Sequence, residues 1–300
     1  MAAAARFAAA EKAHTTRRAY RTDFRIFSAW CQERELDPLP ASPAAVAAYL
    51  AYEVGQNLRP STLGRRLAAI QFAHRSAGHE PPTNDEAVKA TLRGIRRTLG
   101  IARTRKAPAT ANRAKAMARA VPDSLVGIRD RAILLLGFAG AFRRSELVAL
   151  DVADIQPSDS GLRVTIRRSK VDQEGEGAVI AIAPGSTDCP ARALTAWLNA
   201  AGIGEGPVFR PINKVGKVSS ARLSDRSVAN IVKAYADRAG LDGRMFSAHS
   251  LRSGFLTSAA ANGASIFKMM DVSRHKSADT LRGYVQDAEL FKDHAGSGLL

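Results

Sequence analysis

The chain has 300 residues, with 44 Lys plus Arg against 28 Asp plus Glu and a formal charge of +16. Its 46% hydrophobic and 24% charged content is that of a globular protein and argues against a wholly disordered or fibrous chain. The longest uncharged apolar run, Ala132 to Phe142, has 11 residues, short of the ~20 that a helix needs to cross a bilayer. Cys31 and Cys189 are too few for a disulfide framework or a zinc cluster, and the Ala-rich start, Met1 to Ala10, lacks the basic leader of a secretory signal. The expectation is a protein of a reducing, cytoplasmic compartment with no membrane span.

The first hundred residues predict four amphipathic helices. Tyr20, Phe24, Phe27 and Cys31 recur at helical spacing from a start near Thr15 or Thr16. Ser42-Pro43 is a cap followed by a first-turn proline, opening a helix through Val46, Tyr49 and Leu50 that stops at Gly55. A third helix runs from about Ser61 through Leu63, Leu67, Ile70 and His74 to Gly78. A fourth starts near Asn84 and repeats Val88, Leu92, Ile95 and Leu99 before Gly100. No strand signal interrupts them, so residues 1–100 read as a small all-helical domain. From Arg93 to Lys106 there are six basic residues and no acidic one, and the apolar period stops after Gly100. Residues 101–109 therefore read as a basic linker, beside a phosphate backbone or simply solvated.

Residues 110–300 predict a mixed domain. Helical pattern covers roughly 110–155, with Ile128 to Ala141 apolar all round, as in a central buried helix. Leu162 to Arg167 alternates with period 2, Ala178 to Ala183 is a short apolar run, and Ser169 to Gly177 joins them as a hairpin tip. Pro207 to Ile212 suggests one more short strand. Helices follow over about 190–201, 224–239, 249–262 and 265–271, with a final pair near 277–285 and 287–294. The fold class is α+β, mainly helical with a small sheet.

Charge is shared between the halves. Residues 1–106 carry 18 basic and 9 acidic side chains, and residues 107–300 carry 26 and 19, giving +9 and +7. Two basic lobes suit closure around a polyanion, although basicity alone also fits a protein that is merely kept soluble. The acidic residues are scattered: Asp151 and Asp154 lie three apart without a third carboxylate, and no paired-histidine zinc spacing, phosphate-binding glycine loop or nucleophile elbow occurs. No metal or nucleotide cofactor is indicated. The chemistry-bearing side chains lie in the second half: Arg143-x-x-Glu146 at the end of the buried helix, Lys170 at the hairpin tip, His249-x-x-Arg252, and His275 followed nine residues later by Tyr284.

Singly these patterns are common. Together, in this order, they resemble the active site of the tyrosine recombinase (phage integrase) family. The likeness extends over the chain, with Pro60 to Ile70 typical of the family's SAM-like core-binding domain and residues 110–300 resembling its catalytic domain. The resemblance implies a two-domain, C-shaped clamp on double-stranded DNA recombination sites, working as a dimer per site and a homotetramer, with no metal or ATP. It further implies that Arg143 and Arg252 bind the scissile phosphate and Glu146 supports them. Lys170 protonates the departing 5′-hydroxyl, His249 assists proton transfer, His275 donates to the phosphate, and Tyr284 attacks to form a 3′-phosphotyrosyl link. Arg144 adjoins Arg143, but the family's spacing to the glutamate favours Arg143. Ser247 and Ser250 read as capping residues.

DNA-backbone contacts are expected from Arg65, Arg66, Arg96, Arg97, Arg103, Arg105 and Lys106. The tail from Val285, with Leu290 and Phe291, resembles the segment that docks on a neighbouring protomer. With no arm-binding domain ahead of the helices, a simple recombinase is expected, acting either in a mobile element or in dimer resolution, associated with the nucleoid. Two other activities share parts of the pattern: relaxation of supercoils by a type IB topoisomerase, and DNA binding without catalysis.

Overall fold

The computed structural model describes residues 12–101, 106–167, 176–288 and 296–297. The chain falls into two compact units, Met1–Thr104 and Arg105–Leu300.

The first unit is helical: α1 (His14–Gln32), α2 (Pro43–Gly55), α3 (Pro60–Ser76) and α4 (Glu86–Leu99), with a 3-10 turn at Pro82–Asn84. α2 starts as its sequence demands, because the Ser42 hydroxyl accepts the Ala45 N–H at 3.1 Å and Pro43 needs no hydrogen bond in the first turn. α4 starts two residues later than Asn84, with Asp85 capping the Ala87 N–H. α1 packs on α3 and α2 on α4. Phe27, Trp30, Tyr49, Leu50, Leu63 and Ile70 fill the space between them, and the Phe27 and Tyr49 rings meet edge to face at 5.0 Å.

The second unit is built on α6 (Leu125–Ala139), which is buried on almost every face and packs against α5 (Ala111–Arg119), α8 (Pro190–Ala200) and α10 (His249–Ala261). Its two buried charged side chains are matched. Arg129 Nε donates to Asp130 Oδ1 at 2.8 Å, and Asp130 Oδ2 accepts the Tyr235 hydroxyl at 3.0 Å, which leaves neither charge unpaired in the core. A short α7 (Arg144–Ala149) follows. Then come β1 (Ile155–Ser158), β2 (Gly161–Ile166) and β3 (Ala178–Ile182), an antiparallel sheet in that order. Val164 opposes Ile155 on one side and Ile180 on the other, and Leu162, Val164, Ile166, Ile180 and Ile182 face the core. α9 (Asp225–Arg238), α11 (Ile266–Ser273) and α12 (Asp279–Ala288) complete the unit.

The mainly helical α+β class holds, with local corrections. The helical pattern expected to 155 ends at Ala149, and Ile155–Ser158 is a strand. Pro157 there sits on the edge of the sheet, where its missing N–H costs no ladder bond. Pro207–Ile212 forms no strand, only the isolated bridges Asp151 to Pro207 and Ile212 to Val218, because Pro207 and Pro211 cannot donate to a ladder. The first of the two expected terminal helices runs through Ala288, past the break expected near 286, and the rest of the second lies outside the described residues. Residues 289–295, which carry Leu290 and Phe291, and most of the expected hairpin tip, including Lys170, lie outside the described residues.

Candidate active site

The site forms where the carboxyl end of α6 turns into α7. Ala141 takes a left-handed backbone (φ 45°), which an alanine adopts only when its surroundings hold it there. Arg143 follows as the residue before α7, and Glu146 closes on it. Arg143 donates from its backbone N–H to Glu146 Oε2 at 2.9 Å and from Nη1 to Oε1 at 2.6 Å. Glu146 is 3% exposed. Burial by itself would raise its pKa, but the charge of Arg274 and the two bonds from Arg143 outweigh burial and hold it below the usual carboxylate range. Arg144 turns away, with Nε 3.0 Å from Asp225 Oδ2. Arg143 thus pairs with Glu146 at i+3, and Arg144 with Asp225.

α10 brings in the next groups from its first turn. Gly254 lets the helix back directly onto the 107–111 segment, since a Cβ there would lie 1.9 Å from the Ala109 carbonyl oxygen. The Ala109 N–H donates to Ser250 O at 2.9 Å, and the Ala111 N–H to the Ser258 hydroxyl at 2.8 Å. So seated, α10 carries Arg252 into the core at 1% exposure, where Nη1 donates to the Ala141 carbonyl at 2.7 Å and Nη2 lies 3.2 Å from His275 Nε2. Burial, then the charges of Arg143 and Arg274, push Arg252 down to about 9, which still leaves it cationic at neutral pH. His249, the first residue of α10, is exposed, yet surrounding protein and the charges of Arg252 and Arg143 lower its pKa. Ser250 Oγ accepts the Ser247 N–H at 3.0 Å, a local turn contact.

α11 and the turn after it supply the rest. The Ser273 hydroxyl donates to Met269 O at 2.6 Å, so its oxygen receives the Nδ1 proton of His275 at 2.7 Å. That leaves Nε2 as an acceptor facing Arg252. Burial first, then Arg252, Arg143, His249 and Arg274, push His275 down to about 4, so it is neutral at pH 7. Tyr284 stands on α12, half-buried against the cluster of Leu256, Met269 and Leu281, where its phenolate, once formed, bears on Arg252.

The catalytic unit, residues 107–290, matches the model of the phage integrase family, and residues 7–80 match that of the phage integrase N-terminal SAM-like domain. The chain belongs to the phage integrase family. An integrase/recombinase XerD homolog of Selenomonas ruminantium is 40% identical over 290 residues, 95% of this chain and 85% of that protein. The Cre recombinase of Escherichia phage P1 is 25% identical over 284 residues, 88% of this chain and 82% of its own. Two solved structures share the fold at a TM-score of 0.64. One is a lambda integrase dimer bound to a COC′ core site, 17% identical and covering 94% of this chain and 74% of that one. The other is XerH bound to palindromic difH, 16% identical and covering 86% and 72%. By family this chain is a tyrosine-type site-specific recombinase.

Within this integrase the fold gathers Arg143, Glu146, Arg252 and His275 into one network, with His249 and Tyr284 near enough to enter its electrostatics. It also brings in Arg274, which the sequence reading missed. Arg274 donates from Nη2 to Glu146 Oε2 at 2.7 Å and from Nη1 to Gly140 O at 3.1 Å. In a chain with 44 basic residues, an arginine beside a histidine carries no signal of its own.

The expected DNA contacts are dispersed. Arg96, Arg97 and Lys106 are exposed, the last donating to Arg244 O at 2.5 Å. Arg65 is exposed and paired with the buried Asp23 at 3.2 Å, while Arg66 turns inward onto the Tyr49 hydroxyl at 2.6 Å and onto Glu53. Arg103 and Arg105 lie outside the described residues. Among the described residues no three His, Cys, Asp or Glu side chains are grouped to hold a metal ion, and no helix is long and apolar enough to cross a membrane.

Proposed function

We propose that this integrase cuts and rejoins double-stranded DNA at a specific site through a 3′-phosphotyrosyl intermediate on Tyr284, without metal or ATP. The observation that carries the reading is the convergence of Arg143 and Arg252, braced by Glu146 and the Ala141 carbonyl, beside His249, His275 and Tyr284. Displacement at phosphorus spreads negative charge over the nonbridging oxygens, and two fixed guanidinium forks are built to receive it. The Tyr284 oxygen attacks phosphorus, the bond to the 5′-oxygen breaks, and the leaving strand takes a proton from Lys170. His249, neutral at pH 7, accepts the tyrosine proton. His275 now receives a bond from Arg252. The charge of an arriving phosphate works against the burial and the guanidinium charges that keep the imidazole neutral, so it takes up a proton and donates from Nε2. One phosphoester replaces another, and a 5′-hydroxyl from a second duplex reverses the step to join new strands.

Residues 1–100 and 110–300 act as core-binding and catalytic domains joined by a basic linker at 101–109. Arg65, Arg96, Arg97, Arg103, Arg105 and Lys106 supply phosphate contacts, and Arg66 ties Tyr49 and Glu53 together inside the helical domain. The lambda integrase dimer crystallised on its core site supports a dimer on each site; the reading extends this to a homotetramer on two sites, acting on DNA in the cytoplasm, in a mobile element or in dimer resolution. The test is to incubate wild type and Tyr284→Phe with nicked, sheared host DNA in EDTA and isolate detergent-resistant adducts. Wild type alone should yield them, enriched for one inverted-repeat sequence. Adducts without enrichment would point to supercoil relaxation, and tight binding without adducts to a protein that only binds.

A further inference from the structure

Arg274 occupies the position that ends α11, with φ 59° and ψ 39°, its N–H donating to Met270 O at 2.6 Å. A helix that stops on a left-handed residue calls for glycine, which adopts that conformation without steric cost. An arginine there pays a backbone penalty that its side chain must offset. That side chain is 8% exposed and engages the site through both terminal nitrogens, while its buried Nε has no hydrogen-bond partner. Besides Glu146 and Gly140, it donates from Nη2 to Ala141 O at 3.2 Å and from Nη1 to Val272 O, and its guanidinium lies 5.4 Å from the Phe142 ring centre. Ala141 O is the carbonyl that also receives Arg252, and Glu146 is the carboxylate that also receives Arg143.

We infer that Arg274 is a positioning residue of the strand-transfer site, a third guanidinium that ties Glu146 to the Gly140–Ala141 turn and thereby sets where Arg143 and Arg252 present themselves to the phosphate. The inference rests on the reading given under Proposed function. It explains why the left-handed Ala141 is held, since its carbonyl accepts from two arginines, one on α10 and one at the end of α11. Arg274 works through these groups, and the phosphate itself is left to Arg143 and Arg252.

The conformation of residue 274 makes the test clean, because Arg274→Gly removes the clamp while relieving the backbone. Glu146 keeps its two bonds from Arg143, and Ala141 O keeps Arg252, so the variant should fold. Wild type, Arg274→Gly, Arg274→Lys and Tyr284→Phe are compared for melting temperature, affinity for nicked sheared host DNA and initial rate of adduct formation. We expect Arg274→Gly to melt below wild type, since Glu146 loses one of its two buried cations, yet to stay folded at the assay temperature and bind DNA within about threefold. It should form adducts about 100-fold more slowly, the scale on which a small misplacement of reacting groups acts. Arg274→Lys, with one point charge in place of a planar fork, should recover less than about tenfold of that loss. Combining Arg274→Gly with Glu146→Gln should be little slower than the worse single variant, since both act through one carboxylate. An adduct rate for Arg274→Gly within threefold of wild type, or a loss that only follows a fall in melting temperature, overturns the inference. Adducts from Tyr284→Phe, or none from wild type, sink the phosphotyrosyl reading instead. In that event the crystal structure of Arg274→Gly decides: displaced Arg143 and Arg252 side chains support the clamp, and unchanged ones refute it.

Discussion

Glu146 is the residue through which the site's charges are balanced, since its two oxygens receive Arg143 and Arg274 in a buried setting. Removing one member of a buried ion pair costs about 3 kcal/mol or more, so Glu146→Gln should be less stable by roughly that amount at pH 7 in urea titrations. Because the folded pKa is lowered, this stabilisation is complete above the ordinary carboxylate value of 4.5 and is lost as pH falls through the folded one. The gap between wild type and Glu146→Gln should therefore close in acid. His275 acts in a separate window. Its folded pKa of about 4 lies below its ordinary 6.5, so the neutral form stabilises the fold fully above 6.5 and that contribution disappears between 6.5 and 4. A pH series of melting temperatures should show a shallower fall over that range in His275→Asn. Arg143→Lys and Arg252→Lys should each cut adduct formation by about 100-fold or more, since an ammonium cannot replace a fork. At this scale the sequence was legible where a motif fixes spacing: Arg143 to Glu146 and His249 to Arg252 lie where their order implied. Arg274 was not, because its importance comes from a left-handed backbone and from carbonyls 133 and 134 residues away in the chain.

Helices were most legible where an apolar period follows a cap: Ser42 and Ser224 begin helices and accept the N–H three residues on. The same reading overran at Ile155–Ser158. Four residues, three of them exposed, are too few to display a period of two, and their strand character comes from pairing with β2. At Gly254 the 107–111 segment crosses α10 in backbone contact. Gly254→Ala would force that crossing apart. It should cost about 2 kcal/mol, which for a domain of this size lowers the melting temperature by roughly 4–8 °C. It should also slow adduct formation, because α10 carries His249 and Arg252.

For the whole molecule, the shared positive charge was legible from composition, whereas the pairing of individual arginines was not. Arg66 looks from sequence like any exposed arginine, yet it serves Tyr49 and Glu53 inside the helical unit. Arg66→Ala should therefore lower stability, whereas the paired change Arg96→Ala with Arg97→Ala should weaken DNA binding with the fold intact. If about six phosphates are neutralised, the affinity should fall with salt at a log-log slope of roughly −5, and the double variant should lower that slope by about 2. The account as a whole depends on which atom takes up the DNA. The measurement that bears on it most directly is mass spectrometry of the trapped adduct after digestion with nuclease and trypsin. The prediction is a residual nucleotide joined through its 3′-phosphate to the peptide from Gly283 to Lys292, on Tyr284. A nucleotide on any other residue, or rejoined DNA with no adduct on that peptide, would contradict it.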